Sequence, residues 1–216
     1  MKPLSLDRIR AALIIAPHPD DETIGAFGLI GALKARGARV RVLVVTDGAA
    51  SHKATASWPT GRLVTARKRE SRRAMRALGI GAAEVTFLGL ADGALHTHRN
   101  QVWRSLQRAV SCFRGLDLIV LPSGDDDHPD HRAVAGALAR TAVPRLHYLV
   151  WPQRPRPEQM THFLRLGIKA ATKRGVIQGY RTQMGAIVDD LEGFAISRAR
   201  LAHFARPVEH FRKMQR

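Results

Sequence analysis

The sequence predicts a three-layer α/β domain built on a mostly parallel sheet, and two observations carry that expectation. Five short apolar runs rich in β-branched residues stand at 11–16 (AALIIA), 40–46 (VRVLVVT), 84–88 (EVTFL), 116–121 (LDLIVL) and 146–151 (LHYLVW). Runs of this length bounded by turn residues read as buried strands. Helix-length stretches lie between them, at roughly 22–36, 61–79, 98–114 and 130–142. Strict alternation of strand and helix implies parallel pairing, because parallel strands need crossover connections. A length of 216 residues with 45 % hydrophobic content is enough for one domain with a real core.

Taken in order, the first strand runs into Pro17-His18-Pro19-Asp20-Asp21-Glu22. The helix after it carries Gly25, Gly28 and Gly31, spaced G-x-x-G-x-x-G rather than G-x-G-x-x-G and set inside the helix. Close helix-to-sheet packing explains them better than a dinucleotide site. The second strand leads into Thr46-Asp47-Gly48 and then into a helix with seven basic residues between Arg62 and Leu78. Arg67, Ser71, Ala74, Met75 and Leu78 share the stripe expected to face the sheet, whereas Arg69, Arg72, Arg73 and Arg76 mostly point to water. Arg67 sits at the N-terminal end of that stripe, from which a long side chain can reach over the sheet edge toward a ligand. The third strand is followed by Gly89-Leu90-Ala91-Asp92-Gly93, and the fourth by Ser123-Gly124-Asp125-Asp126-Asp127-His128-Pro129-Asp130-His131. A PQRPRP stretch at 152–157 is the one plausible break, and 170–184 reads as a further helix.

In open α/β sheets ligands bind beyond the carboxyl ends of the strands, where all four of these loops lie. His18, Asp20 and Asp21 within four residues would repel as like charges unless a cation or proton offsets them. His128 and His131 stand at i, i+3 where a helix begins, with Asp130 between them. One His and one carboxylate from the first loop, with one His from the fourth, make a two-His-one-Asp set with a position left open for water, as in hydrolytic zinc sites. The surplus carboxylate and histidine are then available as base and acid, although spacing does not say which aspartate binds. The same donors serve non-haem Fe²⁺, so donor type leaves Zn²⁺ or Fe²⁺ open. Asp125, Asp126 and Asp127 could compete as ligands, but read better as solvated loop carboxylates. His52, His96, His98, His147, His162, His203 and His210 lack such company and read as surface or core residues.

The stretch 16–22, with His128-Pro129-Asp130-His131, resembles the paired signatures of the PIG-L/LmbE-like N-acetylglucosaminyl deacetylase family. Arg67-Lys68-Arg69-Glu70 through Ala77-Leu78-Gly79 is similar to that family's Arg-x-x-Glu helix ending in Leu-Gly. Phe87 through Gly93 is similar to its post-strand Asp-Gly segment, and Lys173 through Gln183 to its Lys…Ser-Gln helix, with Thr182 where Ser is commoner. The resemblance spans about residues 11–183. It implies a Rossmann-like sheet and zinc-dependent hydrolysis of an N-acyl amide on a glucosamine-type sugar. His18, Asp21 and His131 would be the metal ligands, Asp20 the general base, His128 the group serving oxyanion or leaving amine, and Asp130 their support. Arg67 and Asp92 would hold the sugar. Residues 1–151 would then form the catalytic core and 152–216 a C-terminal helical or lid part of the same domain.

The charge of 35 − 18 = +17 prompts the alternative of a basic nucleic-acid-binding α/β protein without catalysis. Against it, aromatic residues make up only 6 % and no RRM, KH, helix-turn-helix or zinc-finger spacing is visible. The expected partner is a small N-acetylated amino-sugar conjugate, for which an anionic group would suit the charge, rather than a specific nucleic acid. Peripheral membrane contact has no sequence support, and no interface marks a homo-oligomer, though family members are often oligomeric. A lone Cys112, with neither a secretory leader nor an apolar run near 18 residues, leads to the expectation of a cytoplasmic protein.

Overall fold

The computed structural model describes residues 1–151 and 160–214. Its elements are β1 (Lys2–Pro3), β2 (Ala11–Ala16), α1 (Asp21–Ala35), β3 (Arg39–Thr46), α2 (Thr60–Arg76), β4 (Val85–Leu90), α3 (Arg99–Ser111), β5 (Leu118–Pro122), α4 (Pro129–Ala137), β6 (Arg145–Tyr148), β7 (His162–Arg165), α5 (Lys169–Gln178), α6 (Arg198–Phe204) and β8 (Val208–Met214). They form one eight-stranded sheet in the order β1-β7-β8-β6-β5-β2-β3-β4. Every pairing is parallel except those of β8, which runs antiparallel to β6 and β7.

β2 shows why the sheet needs helices on both faces. Ala12, Ile14 and Ala16 face a core shared with Leu29, Ile30 and Leu33 of α1, Ile177 of α5 and Phe204 of α6. Ala11, Leu13 and Ile15 face a second core with Val102 and Leu106 of α3 and Val134 of α4. Successive side chains of a strand point to opposite faces, so an all-apolar central strand requires two covering layers. Each fully buried Leu or Ile contributes about 2 kcal/mol through removal from water.

The first two glycines of α1 mark close approaches. A Cβ at Gly25 would lie 2.3 Å from the Tyr148 ring, and one at Gly28 about 3.0 Å from Leu166. At Gly31 the nearest neighbour, Leu78, would be at an ordinary 3.5 Å. Leu63, Arg67, Ser71, Ala74 and Met75 form the buried stripe of α2, while Arg69, Arg72, Arg73 and Arg76 are exposed, as the helical period predicts.

Two differences from the sequence expectation have physical causes. β6 ends at Tyr148, not 151, because the Val150 and Trp151 amides donate to the Asp126 carboxylate instead of to a neighbouring strand. The C-terminal part, expected to be helical, also holds β7 and β8. The polar β8, VEHFRKM, hides only Glu209 and Phe211, so it shows no apolar run. The 152–157 break lies outside the described residues. Among those residues no helix is long and apolar enough to cross a membrane.

Candidate active site

The chain reverses its direction of sheet growth between β2 and β5: β3 and β4 lie to one side, β5 and β6 to the other. Loops leaving neighbouring strand ends on opposite sides open a crevice at such a switch point. The loops after β2 and β5 face each other there, and those after β3 and β4 close one flank. The resulting cavity, about 300 Å³, is lined by His18, Asp20, Asp21, Arg67, Asp92 and His128, with Ser51, Trp151, Gln183 and Phe194 among its other walls. Sequence-predicted His131 and Asp130 stand immediately behind it, both fully buried.

Three donor atoms converge at its floor. Asp21 Oδ2 lies 3.1 Å from His18 Nδ1 and 3.1 Å from His131 Nε2, and the two ring nitrogens are 3.3 Å apart. Ligands at about 2.0–2.1 Å in tetrahedral array around one ion stand about 3.3–3.4 Å from each other, so these donors fit a divalent metal with little adjustment. Of the two first-loop aspartates, Asp21 is the one in contact with both ring nitrogens. His128 also belongs to a looser three-histidine group, but its Nδ1 accepts from the Asp130 amide at 3.2 Å.

The far nitrogen of each converging histidine meets a carboxylate. His18 Nε2 lies 3.1 Å from Asp92 Oδ1 and 3.4 Å from Asp130 Oδ2, and His131 Nδ1 lies 3.1 Å from Asp126 Oδ2. Such partners fix ring orientation and raise ligand basicity. Asp130 is itself held by the Gly93 and Leu95 amides, and Asp126 by those of His128, Val150 and Trp151. Asp126 thus corrects the expectation of a solvated loop carboxylate. Three consecutive aspartates look alike in sequence, and two of the three amides that turn this one inward come from the return of the chain after β6.

Charge in the site follows from burial and these contacts. Burial opposes protonation of His131, but Asp21 and Asp126 outweigh it and hold its pKa up to about 9. Burial likewise opposes charging His18, and Asp130, Asp21 and Asp92 overcome it, raising that pKa as well. Burial would raise Asp21, yet His131 and His18 hold it well below the usual carboxylate range. The carboxylates around the two rings thus favour positive charge on them.

Asp20 differs from Asp21 in kind. Burial pushes its pKa up to about 8, with Asp21 and Glu22 adding to the rise and Arg67 opposing it. It is the only non-glycine among the described residues with positive φ, 150°, a conformation that costs about 1–3 kcal/mol and persists only when surroundings impose it. The surroundings are explicit: the Asp20 amide donates to Glu22 Oε2 and its carbonyl accepts from Thr23 and Ile24. Glu22 is in turn buried against Ser71 and the Tyr180 hydroxyl. Arg67 reaches over the sheet edge as expected, and its guanidinium donates to Gly48 O, Pro19 O and Asp20 Oδ2. A Cβ at Gly48 would meet it at 2.8 Å, and Gly48 also has a φ of 73°, so that position needs glycine. Asp92 pairs with the Ala50 amide as well as with His18, and its pKa falls to about 2: burial works against the fall, but His18 and Arg67 prevail.

His128 remains at the rim. Burial, then the charges of His18 and His131, lower its pKa to about 4. The apolar wall has no signature in the local pattern of the chain. Trp151 and Phe194 meet edge to face at 5.6 Å, and Phe194 comes from a segment with no repeat or motif to mark it.

Residues 13–142 match the family profile PIG-L, described as GlcNAc-PI de-N-acetylase. No curated protein matches the chain. Among solved structures, the N,N'-diacetylchitobiose deacetylase from Pyrococcus horikoshii is similar at 20 % identity and a TM-score of 0.69, over 96 % of this chain and 84 % of that one. The A40926 pseudoaglycone deacetylase is similar at 19 % identity and a TM-score of 0.69, over 96 % and 98 %. The 4-carboxy-2-hydroxymuconate hydratase GalB from Pseudomonas putida KT2440 shares the fold too, at 16 % identity and a TM-score of 0.62, over 96 % and 97 %. These likenesses concern the fold, which hosts more than one reaction; the family match, covering more than half of the chain and both histidine loops, establishes that the protein belongs to the PIG-L family.

Proposed function

We propose that the protein hydrolyses the N-acetyl amide of a glucosamine-type sugar conjugate, using a divalent ion, Zn²⁺ or alternatively Fe²⁺, held by His18, Asp21 and His131. The convergence of those three donor atoms within 3.1–3.3 Å carries the reading. When bound, the ion supplies Lewis acidity for the amide carbonyl and for an attacking water. Family membership and the deacetylases among the structural relatives support amide hydrolysis over other metal chemistry.

The remaining roles follow from position and hydrogen bonding. Asp20, buried beside the donors, steadied by Arg67 and ionised when a divalent ion adjoins it, would take the water proton as the C–O bond forms and return it to the nitrogen as the C–N bond breaks, so acetate and a free amine leave. Because His128 Nδ1 accepts from the Asp130 amide, its neutral ring carries hydrogen on Nε2, which can donate to the carbonyl oxygen as negative charge develops there. Asp126 and Asp130 keep the ligand rings oriented. Trp151 and Phe194 offer an apolar wall for a sugar ring, and Asp92 a carboxylate for its hydroxyls.

The test is metal-stripped protein reloaded with Zn²⁺ or Fe²⁺ and screened against neutral and anionic N-acetylglucosamine conjugates, reading acetate and free amine together. Equal release of both is expected. Substrate consumed without acetate, as a hydratase would do, or no turnover with any metal, overturns the proposal.

A further inference from the structure

Helix α1 is broken. Ala26 has φ −142° and ψ 17°, far from helical values, in the middle of the helix whose first residue is Asp21. A sharp break needs a cause in the hydrogen-bond ladder, and a buried ion pair is inserted there. Lys173 Nζ, from α5, donates to Ile24 O at 2.7 Å. Glu209, from β8, accepts from the Gly28 amide at 2.9 Å and the Leu29 amide at 3.1 Å. The two side chains meet at 2.9 Å and are almost wholly buried, 2 % and 3 % exposed. Ile24 O and Gly28 N are the groups that a regular helix would join across Ala26; here each is served by one member of the pair. Gly28 permits this, since a Cβ there would stand 3.1 Å from Glu209 Oε2.

The break separates α1 into two parts with different attachments. The part after Gly28 packs Leu29, Ile30 and Leu33 into the core. The part before it is barely more than a turn, 21–25, and carries Asp21 together with Glu22, which holds the strained Asp20. A lone turn has little stability of its own, so its direction depends on what ends it. We infer that Lys173 and Glu209 are positioning residues: by terminating the first turn of α1 and restarting the helix, they aim Asp21 into the donor triangle. Neither touches the cavity, so they act through the backbone of 24–28. The inference rests on the proposed metal site.

Zn²⁺ affinity of the stripped protein, measured by competition with a chromophoric chelator, tests it alongside kcat and KM. Lys173→Met and Glu209→Gln each leave one buried group without its charge partner and could unfold the chain. The double variant leaves no lone buried charge and is the deciding protein. Weakening of Zn²⁺ binding by about 10–100-fold is expected, with kcat lowered at saturating metal and KM within about twofold. Leu106→Ala, in the opposite core, is the control for general destabilisation; it should lower the melting temperature and leave Zn²⁺ affinity unchanged. Wild-type affinity and kcat in the folded double variant, or equal weakening by Leu106→Ala, overturn the inference while leaving the proposed function intact. Wild-type protein that neither binds Zn²⁺ nor deacetylates overturns both.

Discussion

Two clusters of buried charge lie along α1, and they are built on opposite rules. At its N-terminus, Asp20, Asp21 and Glu22 crowd together with Asp92, Asp126 and Asp130, and are answered by Arg67, by protons on His18 and His131 and by the raised pKa values of Asp20 and Glu22. In its middle, Lys173 and Glu209 are matched one to one, with backbone groups completing their hydrogen bonds. Buried charge is costly unless paired and hydrogen-bonded. The matched pair meets that condition by itself and so can serve structure. The crowded cluster meets it only through Arg67 and protons on its own groups, an imbalance that suits the divalent ion proposed for it.

The contrast is broken most severely by removing a donor. His18→Ala or His131→Ala should abolish metal retention and reduce deacetylation on the order of 10³-fold or more, measured by elemental analysis and amine release. Either variant retaining stoichiometric metal would refute the triangle. Asp20→Ala should keep the metal and lose on the order of 10²-fold in kcat; near-normal turnover at full occupancy would remove Asp20 as the base. Asp126→Asn tests the supporting carboxylates and should weaken metal affinity about 10–100-fold without abolishing binding. Metal itself should stabilise the fold: Zn²⁺ at 100 times its dissociation constant adds about 2.7 kcal/mol, read as a rise in melting temperature that His131→Ala does not show. At the small end, Arg72→Ala with Arg76→Ala, both on exposed surface, should change stability by no more than about 0.5 kcal/mol and leave kcat unchanged. A large loss would give the basic face of α2 a part in catalysis.

Much of this was legible in the chain. Five strands, the helices between them and the inward stripe of α2 follow from periodicity, and the histidine loops announce themselves by packing like charges into a few residues after apolar strands. Asp126 was not legible, because its identity as a buried support depends on amides from Val150 and Trp151, 24 and 25 residues later. Glu209 was hidden by distance, lying 181 residues from the Gly28 amide it accepts from. β8 was hidden because an antiparallel strand with half-exposed polar residues carries no apolar run.

The sequence by itself determined the layer architecture, the four strand-end loops and the residue types of the proposed two-His-one-carboxylate site, because burial and backbone pairing act through local pattern. The tertiary structure decided which aspartate lies against both histidines, which carboxylates stand behind them and what breaks α1. Those outcomes depend on groups brought together from distant parts of the chain, and electrostatic pairing within about 3 Å depends on position in space, which a local pattern does not encode.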